Sequence, residues 1–366
     1  MTTGFVWHEL YMWHDTGGYA LYRRPGLDVE PYQHAENPDT KRRFRNVLEV
    51  AGLWDDLVQI KPREATAAEI LRFHDADYVE RIQTLSAKAG GEAGDNTPFG
   101  RGSYEIAALA AGGVVEAVDA VLTGKVDNAY ALVRPPGHHA EKDRGRGFCI
   151  FGNAVIAALH AMSERGIKRI ATVDWDTHHG NGTQWAFWTD PRVLTMSLHQ
   201  DRNFPTDSGM VEENGEGAGA GTNINIPLPP GSGVGAYVSA FERVVIPALE
   251  AFKPELIMVP SGFDAGGYDP LGRQMLHSDG YREMTTMLLD AARRLCDGRL
   301  VLCHEGGYSA PTLPYMGMAV IETLLGRRGS LEDPFLPSLS AMGQQELQPH
   351  QAQTIDRSAA LLDRIP

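Results

Sequence analysis

The stretch Ile170-Ala-Thr-Val-Asp-Trp-Asp-Thr-His-His-Gly-Asn-Gly182 begins as a short apolar run and ends in polar residues and glycine. That change of character marks a buried parallel strand opening onto a loop. Asp174, Asp176, His178 and His179 crowd into six residues at its mouth. Charges at a buried strand end need compensation, and a bound cation supplies it. Asp176 and His178 therefore read as two metal ligands, with a third to be sought elsewhere in the chain.

Outward from this stretch, apolar runs alternate with helical patterns. Further strands are expected at 3–7, 58–60, 129–133, 193–198, 256–259 and 300–303. Helices are expected from an N-cap at Asp39 or Thr40, over 66–73, over 104–122, up to about Glu164, over 234–252, from an N-cap at Asp279 to Cys296, and over 350–364. Thr66-Ala-Ala-Glu69 has the spacing of a capping box. Gly112-Gly113 inside an apolar helix suits close packing. Residues 86–102 and 200–223 read as loops. No internal repeat or linker divides the chain, so a single domain over 1–366 is expected, built on one parallel sheet with helices on both faces.

Five of the apolar strands end in polar clusters: His138/His139, Asp174/Asp176/His178, Ser197/His199, Asp264 and Tyr308. In open parallel sheets ligands bind beyond the carboxyl ends of the strands, so five such clusters can build one site. Asp264 completes a set of two carboxylates and one imidazole, a donor set suited to a catalytic Zn²⁺ or similar divalent ion. His138 and His139 follow two prolines and a glycine; beside a metal they are candidates for general base and general acid. Asp174 could orient and charge one of them, and Asn181 could orient the other without adding charge. The histidine with the neutral partner is the better base near neutral pH. Tyr308, after Gly306-Gly307, could stabilise an oxyanion. Phe148 and Phe204 could line an apolar channel. The Gly-rich run 215–221 lacks a phosphate-loop ending, which argues against nucleotide binding there.

Composition sets outer bounds. Hydrophobic residues at 43% and charged residues at 22% allow a sizeable core. A net charge of −14 argues against nucleic acid and against an anionic membrane surface as partners. No apolar run approaches the roughly 18 residues of a spanning helix, and the N-terminus lacks the pattern of a signal peptide. Cys149, Cys296 and Cys303 have no CxxC spacing, so free thiols and a cytoplasmic location are expected.

Taken together, Pro135-Pro-Gly-His-His139, Gly147-Phe-Cys149, Asp174-Trp-Asp-Thr-His-His-Gly-Asn-Gly182, Ser197-Leu-His199, Gly262-Phe-Asp264 and Glu305-Gly-Gly-Tyr308 resemble the zinc-dependent histone deacetylase family. The resemblance runs in order over roughly residues 15–325. Asn181 and Glu305-Gly-Gly-Tyr308 look like its class II branch, in particular the bacterial histone-deacetylase-like amidohydrolases. The resemblance implies a three-layer α/β/α arginase/deacetylase fold with an eight-stranded parallel sheet. It implies Zn²⁺ on Asp176, His178 and Asp264, His138 paired with Asp174, and His139 paired with Asn181. Tyr308 would polarise a carbonyl, and Gly147, Phe148 and Phe204 would flank an acyl-lysine tunnel. A structural K⁺ is implied near Asp174, Asp176, His178, Ser197 and Leu198, and a second monovalent site near Phe187, Asp190, Val193 and Thr222. A substrate-contacting acid falls at Asp95. Leu271 stands where a polyamine-selective relative looks to have a Glu.

The expected activity is metal-dependent hydrolysis of an acyl-lysine or related N-acyl amine, small molecule or peptide, by a chain compatible with a homo-oligomer. Rivals are an acetylpolyamine deacetylase, a xenobiotic or secondary-metabolite amidase, and an inactive acyl-lysine binding module. A two-metal arginase-like ureohydrolase is disfavoured, because Gly266 stands two residues after Asp264 and no Asp stands two after His178.

Overall fold

A computed structural model describes residues 1–366. Eight strands form one sheet: β1 (Thr3–Val6), β2 (Val58–Ile60), β3 (Asn128–Ala131), β4 (Ile170–Asp174), β5 (Val193–Gln200), β6 (Asn223–Leu228), β7 (Leu256–Ser261) and β8 (Leu300–His304). Their spatial order is β6-β5-β4-β7-β8-β3-β1-β2, and every neighbouring pair is parallel.

Alternation along the strands divides the apolar side chains between two cores. Phe5, Tyr130, Val173, Ile257, Val259 and Leu302 point into one; Val6, Ala129, Ile170, Met258 and Val301 point into the other. The first core is closed by helices Asp39–Val50, Ser278–Leu295 and Leu313–Leu325 and by the 234–252 segment, the second by helices Ala76–Ser86, Ser103–Leu122 and Asn153–Glu164. A Cβ on Gly112 would stand 2.0 Å from the Arg63 carbonyl oxygen, and one on Gly113 would stand 2.4 Å from the Tyr11 hydroxyl. The glycine pair thus lets the long helix press onto its neighbours.

Three expectations are corrected. The 200–223 segment leads directly into a strand, β6, which periodicity did not mark. Its sequence Asn-Ile-Asn-Ile-Pro-Leu carries a proline, tolerated because β6 is an edge strand. Its asparagines are buried, both donating to the Gln184 side-chain oxygen. The helix expected to be capped by Asp279 begins at Ser278, with His277 at the cap position; Asp279 sits in the first turn beside Arg282. Asp39 and Thr40 likewise lie inside their helix, with Pro38 at the cap. The Thr66–Glu69 capping box is formed, although its helix is only Ala67–Ile70. All three cysteines are buried and free. No helix is long and apolar enough to cross a membrane.

Candidate metal and catalytic site

The chain leaves β4 toward β5 on one side, and leaves β7 toward β8 on the other. Between β4 and β7 the connections diverge, and a crevice opens at their carboxyl ends. Asp176 and His178 follow β4, and Asp264 follows β7, so the sheet order itself brings them together. His178 Nδ1 lies 3.1 Å from Asp176 Oδ1 and 3.0 Å from Asp264 Oδ2. All three residues are buried, and their ligand atoms lie within 4.8 Å of one another.

The donors are held by the backbone. Asp176 accepts the N–H groups of His178 (2.9 Å) and Gly306 (2.7 Å), and Asp264 accepts that of Thr177 (2.8 Å). A Cβ at Gly262 would fall 2.1 Å from Asp176 Oδ2, and one at Gly306 would fall 2.1 Å from Asp264 Oδ2, so the cradle admits only glycine there. Burial disfavours charge on His178, yet Asp264 and Asp176 outweigh it and raise the imidazole to about 10. The two carboxylates demand a positive charge between them, and a divalent ion fits this donor set.

Beside the triad, the rings of His138 and His139 lie 4.0 Å apart. His138 Nδ1 is 2.9 Å from Asp174 Oδ2, and His139 Nδ1 is 2.8 Å from Asn181 Oδ1. The partners drive the two imidazoles apart. For His138, burial is overcome by Asp174, Asp176 and Glu305, which raise it to about 10. For His139, burial and the neighbouring His138 and His178 charges lower it well below 6.5. A carboxylate partner thus favours the charged form of one ring, and a neutral amide partner leaves the other favouring its neutral form.

The cleft above holds about 330 Å³ and is lined by Gly147, Phe148, Phe204, Leu271 and Tyr308, with His139 and His178 at its floor. Leu21, Tyr22, Asn96, Asn203, Pro270 and Arg273 complete its wall and mouth. A Cβ on Gly147 would stand 2.4 Å from the His139 ring and 2.7 Å from the Phe204 ring. Phe204 stands perpendicular to His139 at 4.9 Å, and Phe148 perpendicular to Tyr308 at 5.8 Å. Burial pushes the Tyr308 phenol well above 10, so it keeps its proton as a donor. Asp95 is not part of this lining. It is half-exposed, 3.4 Å from Arg146 Nε, and accepts from the side chain of Asn96, the neighbour that does line the wall.

Asp174 of β4 stands in register with Ser197 of β5, which brings Asp174, Asp176, His178, Ser197 and Leu198 to one corner. Phe187, Asp190 and Val193 share the turn that enters β5, joined through backbone bonds from Asp190 to Phe187 and from Val193 to Asp190. Thr222, just before β6, accepts the Thr195 N–H nearby.

Several residues that organise the site were given no role in the sequence reading. Asp269 accepts the Tyr308 N–H at 2.7 Å and the Leu271 N–H at 2.8 Å, tying mouth to floor. Glu305 accepts the N–H groups of Gly137 (2.6 Å) and His138 (3.0 Å), and burial raises its carboxyl to about 7. Glu36, Lys41 and Arg134 form a buried ionic cluster behind Tyr308. Asp269 before Pro270 had an available turn signal; the others act through contacts remote in sequence.

Acid–base imidazoles beside a cation-seeking triad, at the switch point of a parallel sheet, are the equipment of a metal-dependent hydrolase. The chain belongs to the histone deacetylase family, whose domain model matches residues 34–324. It is 49% identical over 335 residues to the histone deacetylase-like amidohydrolase of Pseudomonas aeruginosa, covering 91% of this chain and 88% of the relative. It is 36% identical to a probable deacetylase of Archaeoglobus fulgidus, covering 93% and 91%. The crystal structure of the HDA15 HD domain superposes with a TM-score of 0.86 at 32% identity, covering 99% and 94%. The eight-stranded parallel sheet with helices on both sides is the arginase/deacetylase fold.

Proposed function

We propose that the chain is a zinc-dependent amide hydrolase, acting as one domain over 1–366 in the cytoplasm, that removes acyl groups from acyl-lysine or related N-acyl amines. The observation that carries this reading is the convergence of Asp176, His178 and Asp264 beneath a narrow aromatic-walled cleft, next to a neutral His139. Bound by those three residues, Zn²⁺ would supply a Lewis acid for the carbonyl and make a water more acidic. His139 accepts the water proton, because its neutral Asn181 partner leaves it a base, whereas the Asp174 carboxylate favours the charged form of His138. His139 then returns that proton to the leaving amine. His138, held charged by Asp174, stabilises negative charge developing beside it. Tyr308 donates its O–H to the carbonyl oxygen, while Phe148 and Phe204 exclude water along the acyl-lysine stem. K⁺ at the Asp174/Asp176/His178/Ser197/Leu198 corner, and a second monovalent ion near Phe187, Asp190, Val193 and Thr222, are part of the same proposal.

An acetylpolyamine is the weaker substrate reading: Leu271 and Arg273 stand at the mouth, and no carboxylate lines the cleft. Purified enzyme assayed on acyl-lysine peptides, acetylpolyamines and neutral aryl amides tests the proposal. Turnover of the first or third class supports it. A chain that binds acyl-lysine peptides without turning over any of the three would be a binding module instead.

A further inference from the structure

The side chain of Asn181 could present either of two chemically different ends to His139, and its surroundings decide which. An amide oxygen accepts and an amide nitrogen donates, in nearly the same shape. Asn181 Nδ2 lies 2.8 Å from Glu141 Oε1 and 3.3 Å from the His139 carbonyl oxygen. A carboxylate gripped by two guanidinium groups and a carbonyl oxygen both accept, so the NH₂ end must face them. The oxygen end then faces His139 Nδ1 at 2.8 Å. Because that oxygen cannot donate, Nδ1 must carry the ring proton, and Nε2 is left with its lone pair. If the amide turned over, the NH₂ would face Nδ1, the ring proton would move to Nε2, and His139 could not accept a proton there.

Of the two acceptors that set the amide, Glu141 makes the shorter, charge-assisted bond. Glu141 is itself gripped. Its Oε1 accepts from Arg146 Nη1 at 3.0 Å, and its Oε2 accepts from Arg144 Nε at 2.8 Å. Arg146 is anchored in turn by Asp207 at 2.8 Å and Asp95 at 3.4 Å. Glu141 does not line the cleft and is not among the metal-ligand group. We infer that Glu141 is a positioning residue that, through Asn181, holds His139 in the tautomer with Nε2 free. This rests on the proposal that His139 is the base. A neutral amide partner needs such a device, whereas a carboxylate, with two equivalent acceptor oxygens, does not.

The test uses metal-loaded enzyme in four forms beside the parent: Glu141→Leu, Glu141→Gln, Asn181→Asp, and the Asn181→Asp/Glu141→Leu double variant. Each is measured for kcat, KM and the ¹⁵N spectrum of labelled histidines, with the His139 signals assigned by their loss in His139→Ala. Glu141→Leu is expected to lower kcat at least about tenfold, part of the roughly 10²–10⁴ a positioned base supplies. KM should stay within about twofold, since ground-state binding is untouched. His139 should change from a pure Nδ1–H form to a mixture of tautomers. Glu141→Gln should keep most of the activity, because its amide oxygen still accepts from Asn181. In the Asn181→Asp background, adding Glu141→Leu should cause no further fall. The inference is overturned if Glu141→Leu leaves kcat and tautomer unchanged, or if it costs the same in both backgrounds, as a purely structural ion pair would. If His139→Ala retains turnover, the base reading fails; the spectrum still decides whether Glu141 sets the tautomer.

Discussion

His178 Nδ1 and Asp264 Oδ2 stand 3.0 Å apart although 86 residues separate them in the chain. They meet because the strands that carry them, β4 and β7, are neighbours at the centre of the sheet. Asp264→Asn keeps the shape of the side chain and removes one of the two charges that compete for a cation. Tightly bound metal and activity should be lost together, because the remaining pair of donors cannot close the site. Elemental analysis of the purified variant checks this; a full equivalent of metal would show that Asp264 is no ligand.

The catalytic donor is the second point of attack. Tyr308 lies after Gly307, whose φ of +128° is a conformation that favours glycine, and its N–H is fixed by Asp269. Tyr308→Phe leaves that backbone in place and removes only the hydroxyl. kcat should fall by about 10²–10³, the scale for one oxyanion donor, with metal content unchanged. Steady-state rates within about threefold of the parent would make Tyr308 a wall residue and no more.

Much of this site was legible because its parts are local. Asp174, Asp176, His178 and Asn181 follow one another from the last residue of β4 to the start of the next helix, and the apolar run before them announces a buried strand. Asp264 and Tyr308 were legible for the same reason, each closing an apolar run. The edge strand Asn223–Leu228 was not, because its buried asparagines find partners that no periodicity displays. Glu141 was invisible as well: its role depends on a bond to Asn181, 40 residues on. Asp95 stands next to Asn96 of the cleft wall, with its carboxylate 3.4 Å from Arg146 Nε, a pairing that spacing does not display.

Glu36 offers a prediction about stability. Its carboxylate accepts from Lys41 Nζ at 2.7 Å and from Arg134 Nε at 2.8 Å, and all three side chains are at most 1% exposed. Burial alone would raise this carboxyl, but Arg134 and Lys41 outweigh it and hold the group well below its ordinary 4.5. Glu36→Gln would leave two cations buried without a counter-charge, at a cost of about 3–5 kcal/mol near neutral pH. A folded-state value below the unfolded one gives stability that is full above the unfolded value and lost as pH falls through the folded one. The difference between parent and variant in urea unfolding should therefore be largest near pH 7 and shrink below about pH 4.5. A pH-independent difference, or none, would contradict the assignment.

The mouth of the cleft makes the last prediction, on substrate choice. Leu271 and Arg273 both face the opening, and the Leu271 backbone is fixed by Asp269 on one side and by Asn203, whose amide donates to its carbonyl at 3.0 Å, on the other. A distal ammonium on the substrate would find an apolar side chain and a guanidinium there, with no carboxylate in the lining to receive it and the nearby Asp95 already paired with Arg146. The net charge of −14 draws polycations toward the surface as a whole, but a screened long-range field does not recognise one ammonium at the mouth. Acyl-lysine peptides or neutral aryl amides should thus be turned over with higher kcat/KM than acetylspermidine. Leu271→Glu places a carboxylate on a backbone already held rigid, beside Arg273, which competes for it. The ratio of kcat/KM values should move toward the polyamine by roughly tenfold, about 1.4 kcal/mol, in keeping with one partly solvated ion pair. The shift should shrink as salt is raised, because screening weakens such a pair. Competition assays with both substrates in one vessel read the ratio directly. A parent that already prefers acetylspermidine would refute this account of the mouth, and so would a substitution that leaves the ratio where it was.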